Sequence, residues 1–440
     1  MGRCLASPRA DSMSVLGHCL HSRVRKGFVR SDRSTEPERS GTARFIPVTV
    51  FTPLFGAALG IDGGPLFQIL AVENLALSPT AIGIAFGFGV ISLPIQLYAS
   101  RMPLQRARRN VQLFLMIAAV QAWMLAALVA LDVTGPLAST ALAITVTAEI
   151  ALSVLFATAW QPLLSHAADT TQRQRLNATW PAVARGLLAV LLVLFAALDG
   201  PGRAGFLTAV GLIAVGCAFG LQRVPDPPEG VEPEGVEDSA RSGVPLSKTT
   251  RSILVVFAAV NIGALPLWLV YLDTVLWPNA NLGVVAAIQT AASMLALLAW
   301  RPTKNDVTNR AFVASIILLG AVLAIPFAGD PGTTPSAQVV LLAATAIIGA
   351  AGTTVRVAML ETVHRTVNAA NSVRAFTVLD VVASTSLQVG LLASGFLIAG
   401  SARNTWPVDP YLSFVIAGSV AAVIAVRLSK TSTIDRPSAA

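Results

Sequence analysis

The chain has 440 residues, 54% of them hydrophobic and only 12% charged, with a mean hydropathy of +0.68. Soluble domains carry roughly 25% charged residues, so this density excludes an ordinary soluble protein and points to the membrane. The net charge of +8 would suit nucleic acid only if the basic residues clustered on a soluble domain. They do not, and no nucleic-acid partner is expected.

Residues 1–44 hold nine Lys/Arg and lack the apolar middle of a signal peptide. They read as a disordered basic cytoplasmic tail. Apolar runs of about 18 residues can cross the roughly 30 Å hydrocarbon core as helices. Twelve such runs lie near 45–70, 80–98, 111–131, 138–162, 178–198, 204–222, 251–272, 281–300, 311–328, 336–357, 374–399 and 410–427. Between the sixth and seventh, residues 223–250 ("RVPDPPEGVEPEGVEDSARSGVPLSKTT") are rich in Pro, Gly and acids. Such a stretch buries too little apolar surface to fold and reads as a cytoplasmic linker. It separates an N-terminal six-helix bundle, 45–222, from a C-terminal one, 251–427, with a short tail at 428–440.

The segment "YASRMPLQRARRN" places Arg101, Arg106, Arg108 and Arg109 between the second and third spans. Lys and Arg stay on the cytoplasmic side of short connections. With the connections assigned alternately, 29 of the 31 Lys/Arg fall on one side, leaving Arg203 and Arg403 on the other. The sorting makes the arginine-rich segment a cytoplasmic loop and puts both termini inside. The expected fold is therefore an all-α polytopic membrane protein of twelve transmembrane helices in the cell membrane.

The halves echo each other at an offset of about 200 residues. Arg101-x-Pro103 follows the second span and Arg301-Pro302 the eighth; His166 and Asn177 follow the fourth, His364 and Asn371 the tenth. A six-span internal repeat is a transporter design.

Twelve spans split six and six by a cytoplasmic linker, with an arginine-rich loop after the second, resemble the major facilitator superfamily. "ENLALSPTAIGIAFGFG" (73–89) is similar to the family's Leu-Ser-x-x-x-x-Gly opening of span 2. Of the family's loop motif Gly-x-x-x-Asp-Arg-x-Gly-Arg-Arg, this chain keeps Arg108 and Arg109 and has Leu104 for the Asp. In the family that Asp helps latch the cytoplasmic gate. Span 5 lacks the Gly-Pro motif of the family's drug antiporters, and span 4 carries Glu149 rather than arginine. The resemblance implies that spans 3, 6, 9 and 12 face lipid and the others line a central cavity.

Ionisable residues inside spans are functional candidates because each costs at least about 2.5–3.5 kcal/mol at the helix centre. Asp62, Glu149, Arg185 and Asp380 lie in spans 1, 4, 5 and 11. At 1.5 Å per residue, Glu149 sits roughly 16 Å into its span, near the midplane. Asp62 sits in the outer third, and Arg185 and Asp380 in the cytoplasmic third. Residues four apart share a helix face. Thr145, Glu149 and Ser153 make one polar stripe, and Asp380, Ser384 and Gln388 another, with Asn261 and Gln289 on spans 7 and 8. Cavity lining and helix-to-helix contact are both open to these stripes. Burial disfavours a charged carboxylate, so Glu149 suits a reversible proton carrier, followed by Asp62 and Asp380. The alternative for Glu149 is a permanently neutral acid bonded to a neighbour.

Cys4, Cys19 and Cys217 fit no metal motif and the four histidines form no cluster, so neither metal nor cofactor is expected. No nucleophile constellation appears, which disfavours an embedded enzyme. The expectation is a monomeric secondary transporter moving a small organic molecule, with protons as driving ion and export as direction. An uptake permease and a non-transporting scaffold or sensor are the alternatives.

Overall fold

The computed structural model describes residues 64–89, 107–148, 170–223, 265–300, 307–331, 334–366, 369–403 and 408–434, with 48, 94, 255 and 259–261. Within these, the side chains of 107, 170–180, 223, 360, 363–366, 369–380 and 429–434 lie outside the description. Among the described residues regular structure is helical. Its α-helices are α1 (Pro65–Ile69), α2 (Pro79–Gly87), α3 (Ala107–Ala130), α4 (Gly135–Ala148), α5 (Thr170–Ala196) and α6 (Gly200–Gly220). The second half gives α7 (Trp268–Tyr271), α8 (Leu282–Ala299), α9 (Val307–Ala324), α10 (Pro335–Thr366), α11 (Ala369–Ala402) and α12 (Pro410–Ile434). Each overlaps one predicted span. Seven of the described helices are long and apolar enough to cross a membrane. The tail, the linker and the greater part of spans 1 and 7 fall outside the described residues.

Local sequence sets the helix starts at one end of the bundle. Ser78 caps α2 by accepting from Ala81 N, Asp199 caps α6 through Gly202 N, and Asn281 caps α8 through Val284 N. Proline in the first turn of α2 and α6 needs no N–H there. Asp409 caps α12 by accepting from Leu412 N at 3.0 Å.

Along α3, Val111, Phe114, Leu115, Ala118, Ala119 and Ala122 are buried, an apolar stripe at helical spacing. Its opposite face is also apolar: Leu113, Met116 and Val120 are exposed. A helix apolar on all sides, with one side unburied, is built for lipid. Leu212, Ile213 and Phe219 on α6 and Val313, Ile316 and Ile317 on α9 repeat the pattern.

Helices α3 and α6 run antiparallel. Arg108 Nη1 donates to Gln222 O at 3.4 Å, Gln112 Nε2 to Ala218 O at 3.2 Å and Trp123 Nε1 to Thr208 O at 3.2 Å.

Two further antiparallel pairs join the N-terminal to the C-terminal spans: α2 with α11, and α5 with α8. They are matched across the repeat. A Cβ on Gly83 would meet Gly395 Cα at 2.8 Å, and one on Gly283 would collide with Ala196 Cβ. Gly83 and Gly283 lie 200 positions apart, so the same crossing occurs twice about a pseudo-two-fold axis. Both crossings lie at the end that charge sorting assigns to the outside.

Burial follows the same division. The largest apolar core runs through both halves, including Phe67, Phe86, Trp268, Tyr271, Leu391 and Tyr411. A second core belongs to the C-terminal spans alone, with Val260, Ala311, Val355, Met359 and Ala422.

Two features differ from the sequence expectation. Helix α10 continues to Thr366 rather than ending near 357. "RVAMLETVHRT" holds neither Gly nor Pro, so backbone bonding carries the helix past the apolar stretch. The seventh span is interrupted: Leu265 and Leu267, either side of Pro266, have φ of +58° and +60°. Left-handed geometry costs a leucine about 1–3 kcal/mol.

Candidate functional site

Helix-end pieces from spans 1 and 7 meet at the closed end. Helix α1 continues as a π-helical turn, Leu70–Asn74, and α7 as another, Leu272–Leu276. The break at Pro266 frees backbone groups that neighbouring elements satisfy. Tyr411 Oη donates to Pro266 O at 2.7 Å, and Leu269 N donates to Gln68 Oε1 at 3.1 Å. Tyr271 Oη donates to Asp409 Oδ2 at 2.5 Å, and Ser401 Oγ to Asp409 Oδ1 at 2.8 Å. The rings of Tyr271 and Tyr411 lie 4.3 Å apart. Trp268 is buried, and its indole N–H has no partner among the described residues.

Beside this seam Arg203 Nη2 pairs with Glu73 Oε2 at 2.7 Å, and Nη1 donates to Asn74 Oδ1 at 2.8 Å. Its Nε donates to Leu198 O at 3.0 Å, and the guanidinium lies 5.0 Å from the Phe195 ring centre. Arg203, at α6, therefore ties span 6 to span 1. Across the seam stands Asp273. Burial first, and then the charge of Glu73, raise its carboxyl above the usual range.

Deeper in the C-terminal half, Asn261 joins three spans. Its Nδ2 donates to Ala383 O at 3.0 Å and Ser386 Oγ at 3.2 Å, and its Oδ1 accepts from Arg356 Nη2 at 2.8 Å. Arg356, counted in the charge sorting with a cytoplasmic connection, thus sits within α10 and bonds to span 7.

The sequence candidates are placed unevenly. Asp62, Glu149, Ser153, Arg101 and Arg106 lie outside the described residues. Asp380 is within α11, one turn before Ala383, with its side chain outside the description. Thr145 is buried; its hydroxyl donates to Ala141 O, and its carbonyl accepts from Gln121 Nε2 at 2.7 Å. The Gln121 bond stitches α4 to α3, and the hydroxyl bond stays within α4. Ser384 and Gln388 do share a face: Gln388 Nε2 donates to Ser384 Oγ at 2.9 Å, and Gln388 Oε1 is buried without a partner. Arg185 is half-buried on α5, and Gln289 on α8 packs against Gly349 of α10. Arg108 meets the end of α6 while Arg109 is exposed.

The residues missed in the sequence are Gln68, Glu73, Asp273, Arg356 and Asp409. Arg203 did carry a signal, as one of two cations on the outer side. Among the described residues, no group of three or more His, Cys, Asp or Glu is placed to hold a metal. An apolar groove of 310 Å³ between α5 and α8, lined by Val190, Val193, Val284 and Ile288, opens beside exposed apolar residues. It suits an acyl chain of the bilayer.

No family profile matches the chain, and no curated protein matches it. Solved structures do resemble it. A mutant form of the nucleoside transporter NupG superimposes with a TM-score of 0.60 at 12% identity, covering 89% of this chain and 99% of that one. A bacterial homologue of the human lysosomal transporter Spinster, inward-facing and occupied, gives 0.55 at 14% identity, covering 92% and 100%. A bacterial homologue of the iron transporter ferroportin, inward-facing, gives 0.53 at 13% identity, covering 91% and 98%. All three have the major facilitator fold, and it is this fold, shared along nearly the whole chain, that the protein adopts.

Proposed function

We propose that the protein is a secondary transporter that moves a small organic molecule by alternating access, its halves 45–222 and 251–427 rocking about a central site. The carrying observation is the paired crossing at Gly83–Gly395 and Gly283–Ala196. Two equivalent contacts at one end, related by the internal repeat, suit two bundles that close there and part at the other end. The inward-facing states of two structural neighbours support the same reading.

In this reading twelve spans cross the cell membrane with both termini cytoplasmic. Protons drive export, with Glu149 as carrier and Asp62 and Asp380 as the next carboxylates. Thr145, Ser153, Arg185, Asn261, Gln289, Ser384 and Gln388 contribute polar groups to largely apolar walls. Export suits such walls, which favour membrane-permeant organic molecules. The neighbours' described cargoes, a nucleoside and iron, define the first probes.

The test uses the full chain in proteoliposomes with an imposed pH gradient. Radiolabelled nucleosides, ferrous iron and lipophilic organic cations serve as probes. Gradient-dependent flux of one probe supports the reading. Loss of that flux in Glu149→Gln, with exchange retained, assigns the proton step. Flux unchanged in Glu149→Gln removes Glu149. Absence of flux for every probe, together with a single conformation under all conditions, favours a scaffold.

A further inference from the structure

The first and seventh spans reach the closed end by equivalent routes. Gly64-Pro65 opens α1, with Pro65 as its first residue, and Leu265-Pro266 precedes α7. Each proline opens a Pro-Leu-aromatic triplet, Pro65-Leu66-Phe67 and Pro266-Leu267-Trp268, about 200 residues apart. Each helix then passes into a π-helical turn. Proline-interrupted segments at matching positions of two repeats point to the functional centre of a transporter. Here the two copies differ in one respect: the second is strained.

Leu265 and Leu267 both hold left-handed backbone, and Trp268 leaves a buried indole N–H unpaired. Nothing in "ALPLW" favours that geometry locally, so contacts from elsewhere maintain it. Tyr411 holds Pro266 O from within the same half. Gln68 holds Leu269 N from the other half, at 3.1 Å. It therefore ties span 1 to the strained turn directly across the seam. Gln68 is 7% exposed and Leu269 1%, so water competes weakly for this bond while the end is closed.

We propose that Gln68 is the latch of the outer gate: its side chain holds the strained turn of span 7 against span 1, and release of that bond lets the halves part at this end. The inference rests on the alternating-access reading above. Closure stores strain in the leucine pair and leaves the Trp268 N–H dry; opening relieves the first and hydrates the second. Alongside the apolar core and the two glycine crossings, the gate is thus held by an exchangeable bond, as a carrier that must cycle requires.

The experiment measures spin-label distances on the full chain in nanodiscs. Labels are placed at Leu131 and Val408, exposed positions near the outer ends of the two halves, after Cys4, Cys19 and Cys217 are replaced. Gln68→Leu keeps bulk and removes the acceptor. It should raise the ratio of long to short distances by up to about tenfold, the scale of one net hydrogen bond. Gln68→Glu, which retains an acceptor at the same reach, should stay near wild type. Gln68→Asn, which shortens the reach by one methylene and stays polar, should shift the ratio the same way as Gln68→Leu. Two populations that ignore Gln68→Leu overturn the latch alone. If Gln68→Leu does not fold, Gln68→Asn decides: a shift toward the long distance supports the latch, and no shift or a shift toward the short distance overturns it. One fixed distance in the wild type under every condition overturns alternating access, and the latch with it.

Discussion

Gly83 and Gly395 pass so closely that a Cβ on either would lie within 2.8 Å of the other's Cα. No larger residue fits there without separating α2 from α11. Overpacking a tight contact costs about 1–3 kcal/mol, and here the cost falls on the closed state alone. Gly83→Val should therefore hold the outer end open. Gly283→Val, at the equivalent crossing with Ala196, should do the same. Both are expected to insert normally and to reduce transport at least tenfold. Outer-end label distances matching wild type in both variants would show that the crossings tolerate bulk.

Arg203 gives a stability prediction. It is 9% exposed and is fully engaged by Glu73, Asn74, two backbone carbonyls and the Phe195 ring. Arg203→Met should lower stability by roughly 2 kcal/mol, a value reduced because the Glu73 side chain keeps partial contact with water. Arg203→Lys should recover little, because an ammonium does not reproduce the planar fork. Thermal unfolding in detergent measures both. A lysine variant as stable as wild type would reduce the cluster to simple charge pairing.

The reach of the sequence is visible in these two cases. Composition and arginine sorting gave the all-helical membrane architecture; the echo of Arg101 with Arg301 has the same 200-residue offset as Gly83 with Gly283, but neither glycine was part of it. Arg203 stood out because outer-side cations were scarce. The break at Pro266 did not stand out: its neighbours are as apolar as any span, and proline is tolerated within membrane helices. Gln68 meets Leu269, and Glu73 meets Arg203 and Asp273, only through tertiary packing, since spans 1, 6 and 7 are far apart in sequence. Ser384 and Gln388 were legible as one face from their spacing. The buried bonds of Thr145 to α3 and α4 were not, because a helical hydroxyl reads alike whether it faces a cavity or its own backbone.

The Asp273 carboxyl predicts how the outer gate responds to pH. Burial and the nearby Glu73 charge raise it above its usual range. The closed end thus binds this proton more tightly than an end opened to water. Closure should be favoured at low pH and lose that advantage as pH rises through the raised value. Of the other charged groups at this end, Arg203 is committed to Glu73, and Asp409 to Tyr271, Ser401 and the first turn of α12. Asp273→Asn should therefore flatten the pH dependence of the outer-end distances at the closed, low-pH value. An unchanged profile would place the sensing group elsewhere.

Asn261 separates a structural tie from a simple polar surface. It donates to Ala383 O and Ser386 Oγ while accepting from Arg356, so one amide uses both ends to join spans 7, 10 and 11. Asn261→Ala removes all three bonds at a site 5% exposed. Leaving buried partners unsatisfied costs about 1–3 kcal/mol, so the variant should be less stable by that amount and unfold at a lower temperature. Asn261→Asp keeps an acceptor for Arg356 and strengthens it by charge, but it loses the donor to Ala383 and Ser386. It should recover part of the stability, and more at high pH, where the carboxylate is charged, than at low pH. The pH dependence of the difference between the two variants is the decisive measurement. If Asp and Ala are equally destabilised across the range, Arg356 draws nothing from position 261, and the node is held by the backbone contact with α11 alone.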